Sequence, residues 1–214
     1  MTFTLFLEQL LNGIQLGTML FLMSAGLTLV FGIMNLINLA HGSLYMAGAF
    51  LAASFIRLTG SFLLGIALAL PATALVAALM ERVVLRRFFE RGHLEQVLVT
   101  FGLILVFNDV TRLIWGPVPV PMPLPELLSG SVSIVPGLSY PAFRLAILVV
   151  GLGVAVGLYL VVAHTRAGMW LRAGASDRPM ASALGVDVER VFAIVFAAGA
   201  ALAGLAGIMA GPIT

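Results

Sequence analysis

The sequence contains no cysteine and no lysine, and all eleven of its basic residues are arginine. Without cysteine there can be no disulfide and no Cys-ligated metal site. Charge of either sign is scarce: Asp, Glu and Arg make up 9% of the chain, against about 25% in soluble domains. Hydrophobic residues make up 61%, and mean hydropathy is +1.14. A soluble core cannot hide that much apolar surface, so the expected fold is all-α, a polytopic transmembrane helical bundle. The pI near 9.7 rests on a few loop arginines. It suits contact with anionic membrane lipid or partner proteins and gives no support for nucleic acid. His41, His93 and His164 are scattered, and no HExxH, GxSxG or P-loop pattern occurs. No catalytic residue, metal or cofactor is therefore expected on this chain. No basic region precedes the first apolar run, so the N-terminus is expected to be retained.

Apolar runs predict about six spans, over residues 9–33, 43–56, 61–80, 96–115, 142–163 and 188–210. Gly13 and Gly17 in the first span offer a small face for close helix packing. In the sixth, Gly199, Ala203, Gly207 and Gly211 form one small stripe, and Ala200 with Gly204 a second. Pro71 is expected to kink the third span. In the fourth, Asp109 and Arg112 stand three apart and are expected to pair near the membrane surface. Residues 117–141 are rich in proline with one charge, Glu126, which suits an outside loop. Arg82, Arg86, Arg87 and Arg91 mark a cytoplasmic loop, as do the arginines of residues 164–190. Counting crossings from these two loops puts the N-terminus outside.

Residues 34–42, MNLINLAHG, interrupt a run that is otherwise apolar. On a helix, Asn35, Asn38 and His41 would share one face, followed by Ser43. Either a broken or re-entrant helix lies within the membrane here, or the second span is only partial. Interrupted helices at depth must line a cavity or be buried in protein, and in transporters they commonly mark the substrate path. The other reading is an interfacial turn with satisfied side chains.

Residues 164–190 hold seven of the chain's twenty Asp, Glu and Arg residues. Met169, Trp170 and Ala173, then Met180, Ala181 and Leu184, recur at three and four, which predicts two short amphipathic helices. Ser176 or Asp177 can cap the second, Pro179 fits its first turn, and Gly185 is a natural stop. On composition alone this could also be an ordinary positive-inside loop.

Arg172-Ala173, Asp177-Arg178, Met180-Ala181 and Ala183-Leu184-Gly185-Val186 resemble the coupling loop of bacterial ABC-importer permeases, in the version of the branched-chain amino-acid (LivH-type) family. The run GLTLVFGIMNLINLAHG from Gly26 to Gly42, continuing through Leu44-Tyr45-Met46-Ala47-Gly48-Ala49-Phe50, resembles the N-terminal signature of the same family. The resemblance covers the whole chain, although the family usually continues past the equivalent of Thr214, so its final spans are expected to be missing here. It implies one permease domain, residues 1–214, with a coupling loop at 164–190 that inserts into a groove on an ATP-binding subunit. It implies a second, LivM-type permease subunit, two ATP-binding subunits that use ATP, and a periplasmic or lipid-anchored substrate-binding protein, at a bacterial inner membrane. The implied cargo is a branched-chain amino acid or a related small amide or urea-type solute. Residues tied to coupling are Arg172, Ala173, Asp177, Arg178, Met180, Ala181, Leu184 and Gly185; those tied to the path are Asn35, Asn38, His41 and Ser43. Two other classes compete: an ion-coupled secondary transporter, which would want mid-membrane carboxylates, and a non-transporting scaffold.

Overall fold

A computed structural model describes residues 3–213 apart from Glu90, Pro119, Pro136 and Gly137, and of Leu127 and Val135 only the backbone. Among the described residues, six helices are long and apolar enough to cross a bilayer: α1 (Phe3–Met34), α2 (His41–Thr59), α3 (Phe62–Val83), α4 (His93–Trp115), α5 (Ala142–His164) and α8 (Val188–Ala210). Two short helices, α6 (Arg166–Ser176) and α7 (Arg178–Ala183), lie between α5 and α8. The all-α polytopic bundle expected from composition is thus observed. Two boundaries move outward. α1 begins six residues before the expected position 9 and takes in Glu8, and α2 has 19 residues, enough for a full crossing. α3 runs on through Pro71.

α8 is the centre of the bundle, wrapped by α1, α2 and α3. Its small stripes make this possible. Gly199, Ala200, Ala203, Gly204 and Gly207 are all buried. A Cβ on Gly199 would lie 2.7 Å from the carbonyl oxygen of Gly26 in α1, and one on Gly48 in α2 would lie 2.8 Å from the carbonyl oxygen of Gly204. At Gly207 a Cβ would overlap the backbone of Tyr45. Backbones this close pack by dispersion, the main attraction available between helices in lipid. Gly13 and Gly17 do not share this role. No described residue lies within 4 Å of a Cβ at either, so the close-packed glycine of α1 is Gly26, further along the helix.

α4 and α5 sit at the periphery. Trp115 anchors α4 to α2, donating its indole N–H to Ser54 Oγ at 2.7 Å with its ring 5.2 Å from that of Phe50. The expected Asp109–Arg112 pair is not formed, and both side chains are exposed. Spacing by three brings two Cβ atoms together but does not fix the rotamers of exposed side chains.

The two ends of the bundle differ. Arg86, between α3 and α4, donates to Glu81 and to Glu189 of α8, each at 3.2 Å, so both arginine-rich segments lie at one end. The hydrogen bond to Glu81, followed by that group's charge, holds the Arg86 guanidinium above its ordinary pKa. At the other end the proline-rich stretch holds a short antiparallel hairpin, β1 (Ser131–Val135) with β2 (Leu138–Pro141), Val132 opposite Tyr140. Asn12 Oδ1 accepts from Tyr140 Oη at 3.1 Å and Arg144 Nη1 at 2.6 Å, tying hairpin and α5 to α1.

Candidate translocation and coupling site

α1 stops at Met34 because Asn35 adopts φ 52°, a left-handed conformation that Asn tolerates better than most residues. Residues 35–40 are not helical, and His41 starts α2. The His41 ring reaches Met23 O through Nε2 at 3.1 Å. Met23 precedes the end of α1 by eleven residues, about 16 Å along a helix. The chain therefore folds back along α1, and α2 begins inside the bundle rather than at its end. This is a re-entrant break.

The single polar face expected for Asn35, Asn38 and His41 does not exist, because the left-handed turn removes the helical periodicity it required. Asn35 is exposed, whereas Asn38, His41 and Ser43 are buried at 3%, 2% and 6% exposure. The His41 ring lies at the α1–α8 crossing, its Cε1 3.1 Å from where a Cβ on Gly26 would be. Both polar atoms of the Asn38 side chain, and Nδ1 of His41, are buried without a hydrogen-bond partner among the described residues. Leaving such groups unpaired costs about 1–3 kcal/mol each.

Gln96, which sequence reasoning passed over, holds the break in place. Its Oε1 accepts from Ile37 N–H at 3.3 Å, and its Nε2 donates to the carbonyls of Phe88 and Arg91 at 3.2 and 3.3 Å. It is 3% exposed. The only signal in the sequence was an amide side chain at the start of an apolar run.

The second part of the site is the arginine-rich loop. Thr165 caps α6, and Asp177 Oδ1 caps α7 by accepting from Met180 N–H at 3.0 Å. Pro179 occupies the first turn of α7, where its missing N–H is harmless. Gly185 closes the motif at φ 86°. Met180 and Leu184 point outward, 57% and 78% exposed, with Met169 and Trp170 of α6 also exposed. Ala181 does the opposite. At 3% exposure it packs inward, so it cannot face a groove on another protein. Arg172 donates to Val162 O of α5, anchoring α6, while Ala173 stays on the surface. Arg178 donates to Met34 O, the end of α1, and stacks over the Phe192 ring of α8 at 4.6 Å.

These two parts meet. A cavity of about 800 Å³ is lined by Asn35, Arg91, His93, Gln96, Asp177 and Arg178, among others. The mouth of the break and the start of α7 therefore share one polar recess at the arginine-rich end.

Comparison with known proteins agrees with this architecture. The family model described as "Branched-chain amino acid transport system / permease component" matches residues 9–214. The high-affinity branched-chain amino acid transport system permease protein LivH of Escherichia coli K12 is 31% identical over 98% of this chain and 71% of its own length. The corresponding permease BraD of Pseudomonas aeruginosa is 29% identical over 96% of this chain and 71% of its own. The xylose/arabinose import permease XylH of Sulfolobus acidocaldarius is 31% identical over 56% of this chain and 32% of its own. No solved structure matches. With the family match running from within α1 through α8 and beyond, the chain, a multi-pass membrane protein, belongs to the permease family of branched-chain amino acid transport systems.

Proposed function

We propose that this chain is the membrane permease subunit of an ABC importer in a bacterial inner membrane, carrying branched-chain amino acids or a related small amide or urea-type solute. It works beside a second permease subunit of LivM type, two ATP-binding subunits and a periplasmic or lipid-anchored binding protein. The observation that carries this is α7: a capped six-residue helix at the arginine-rich end that, with its C-cap, presents Met180 and Leu184 outward while Arg178 grips α1. A loop that only connects spans needs none of this. The sequence holds no nucleotide-binding motif, so the ATP is used on the partner chains. The solute is neutral or zwitterionic, because the spans offer little fixed charge. Ion coupling is disfavoured: Asp109 is exposed on α4, and the buried Glu81 is already paired with Arg86. Purification from membranes should recover two ATPases and a second permease, with uptake requiring ATP. Uptake by the chain alone, driven by a proton gradient, would reverse the assignment.

The same proposal fixes sidedness. Single cysteines at Ser176→Cys and Gly92→Cys should react with impermeant reagent only from the cytoplasm, and Ser129→Cys only from outside. All three positions are exposed, and the native chain has no cysteine to confuse the labelling. Reaction of Ser129→Cys and Ser176→Cys from one side breaks the topology.

Along the path, Asn38, His41 and Ser43 form the buried polar lining, and Asn35 stands at its cytoplasmic mouth. Asn38→Ala removes no hydrogen bond to the described residues. Its expected effect is therefore unchanged or slightly raised stability, with uptake per assembled complex falling about tenfold, near 1.4 kcal/mol, or with altered choice among ligands. Transport into vesicles, normalised to complex, reads this. Normal uptake and selectivity in the alanine variants at all four positions would remove the path assignment.

A further inference from the structure

Arg178 is the first residue of α7, and its two partners belong to different spanning helices. Its Nη2 donates to the carbonyl of Met34, one of the terminal carbonyls that a helix cannot satisfy for itself. Its guanidinium lies 4.6 Å from the centroid of Phe192, which is 5% exposed in the first turns of α8. No carboxylate pairs with Arg178 among the described residues. Its charge is met by the negative end of the α1 dipole and by an aromatic face. Such contacts are directional, and a shift of a few ångströms breaks them.

What lies one residue beyond Met34 gives this contact its importance. Asn35 is the only described non-glycine residue with positive φ, at 52°. From it the chain re-enters the bundle toward Asn38 and His41, whose buried polar atoms have no partner among the described residues. The left-handed turn is held on one side by Gln96, through Ile37, and on the other by Arg178, through Met34. Gln96 belongs to a spanning helix and is itself fixed by two carbonyls. Arg178 belongs to a short surface helix. Of the two supports, Arg178 is the one that a partner at the surface can move.

We propose that Arg178 is the positioning residue that transmits displacement of α7 to the re-entrant segment, residues 35–40, and so sets the orientation of Asn38 and His41. This rests on the coupling role proposed for α7. Movement of α7 either carries the end of α1 with it or releases Met34. In both cases the turn at Asn35 loses its present geometry. Arg172 has no such reach: its bond to Val162 spans ten residues within one hairpin of helices and holds α6 to α5.

The test uses the complete importer in proteoliposomes, with its binding protein, measuring ATP hydrolysis and uptake per complex. In Arg178→Gln, assembly and hydrolysis should stay near wild type while uptake per ATP falls about 5-fold or more, the lower end of measured couplings between sites. Arg178→Lys should recover part of it, since an ammonium can bond the Met34 carbonyl but lacks the planar face for Phe192. Arg166→Gln, the same charge change at an exposed position in the same loop, should behave as wild type. A parallel fall of hydrolysis and uptake in Arg178→Gln, or no change in either, overturns the proposal. If Arg178→Gln fails to assemble, Arg178→Lys decides: wild-type uptake per ATP there means a packing role only, and a reduced ratio supports transmission. A wild-type complex that shows no ATP-dependent uptake would instead overturn the coupling role itself.

Discussion

Gly207→Val should leave almost no folded protein in the membrane. A Cβ at this position would overlap the carbonyl of Tyr45 and lie 3.4 Å from Ala49 N–H nitrogen, so the obstacle is the backbone of α2. Overpacking against side chains costs about 1–3 kcal/mol, and side chains can rotate away. A helix backbone cannot, so α2 and α8 must separate along their length. Total stabilities are about 5–15 kcal/mol, and the same crossing is shared by Gly48 and Gly204. Membrane abundance and the detergent-solubilised Tm read the effect. Gly17→Val supplies the contrast: no described residue lies within 4 Å of a Cβ there, so abundance and Tm should stay near wild type. Wild-type abundance of Gly207→Val would mean that the α2–α8 crossing is not close-packed.

Leu184→Glu should abolish uptake without disturbing the fold. Leu184 is 78% exposed, and exposed substitutions stay within about 0.5 kcal/mol of wild type. In the proposed importer its side chain enters the ATP-binding subunit, where loss of one buried anchor weakens association by about 2 kcal/mol or more. Pull-down of the ATP-binding subunits should fail while the permease keeps its Tm. Gly185→Val should give the same phenotype for a different reason, because φ 86° is strained for a β-branched side chain. Ala181→Glu separates the two faces of α7. Being 3% exposed, Ala181 has no room for a carboxylate, so that variant should lose stability first. Normal ATPase binding by Leu184→Glu would make the loop a mere connector.

The spans were legible because each is a long apolar run, and length alone distinguishes a crossing helix. The stripes of α8 were legible because two long rows of small residues run along one span, whereas Gly13 and Gly17 show that a single pair at the same spacing does not fix a close contact. The caps of α7 were legible for the same local reason: Asp177, Pro179 and Gly185 act within a few residues of themselves. Most of what escaped was non-local or conformational. The spacing of Asn35, Asn38 and His41 led to a shared face only by assuming a helix, and no composition rule announces φ 52° at Asn35. The amphipathic spacing of Met180, Ala181 and Leu184 showed that α7 has two faces but not which one turns inward. Arg178 and Met34 are 144 residues apart, so a single sequence cannot connect them. The hairpin was readable and missed: Ser131, Val132, Ser133 and Ile134 alternate as a strand does, beneath the louder signal of the prolines.

The helix at the centre of the bundle is also the one synthesised after the three that wrap it. At about 5–20 residues per second, the stretch from Val83 to Val188 takes on the order of 5–20 s to make. Throughout that interval α1, α2 and α3 have been made while Gly26, Gly48 and Thr73 still lack the surfaces they will meet. Each helix can wait because its backbone is satisfied internally, but Leu36 in the segment at residues 35–40 still lacks the part of its core that Phe192, Phe196, Ala200 and Ala203 of α8 will supply. Insertion therefore passes through a half-built bundle whose α8-facing surfaces stay open until the last of its four central helices arrives.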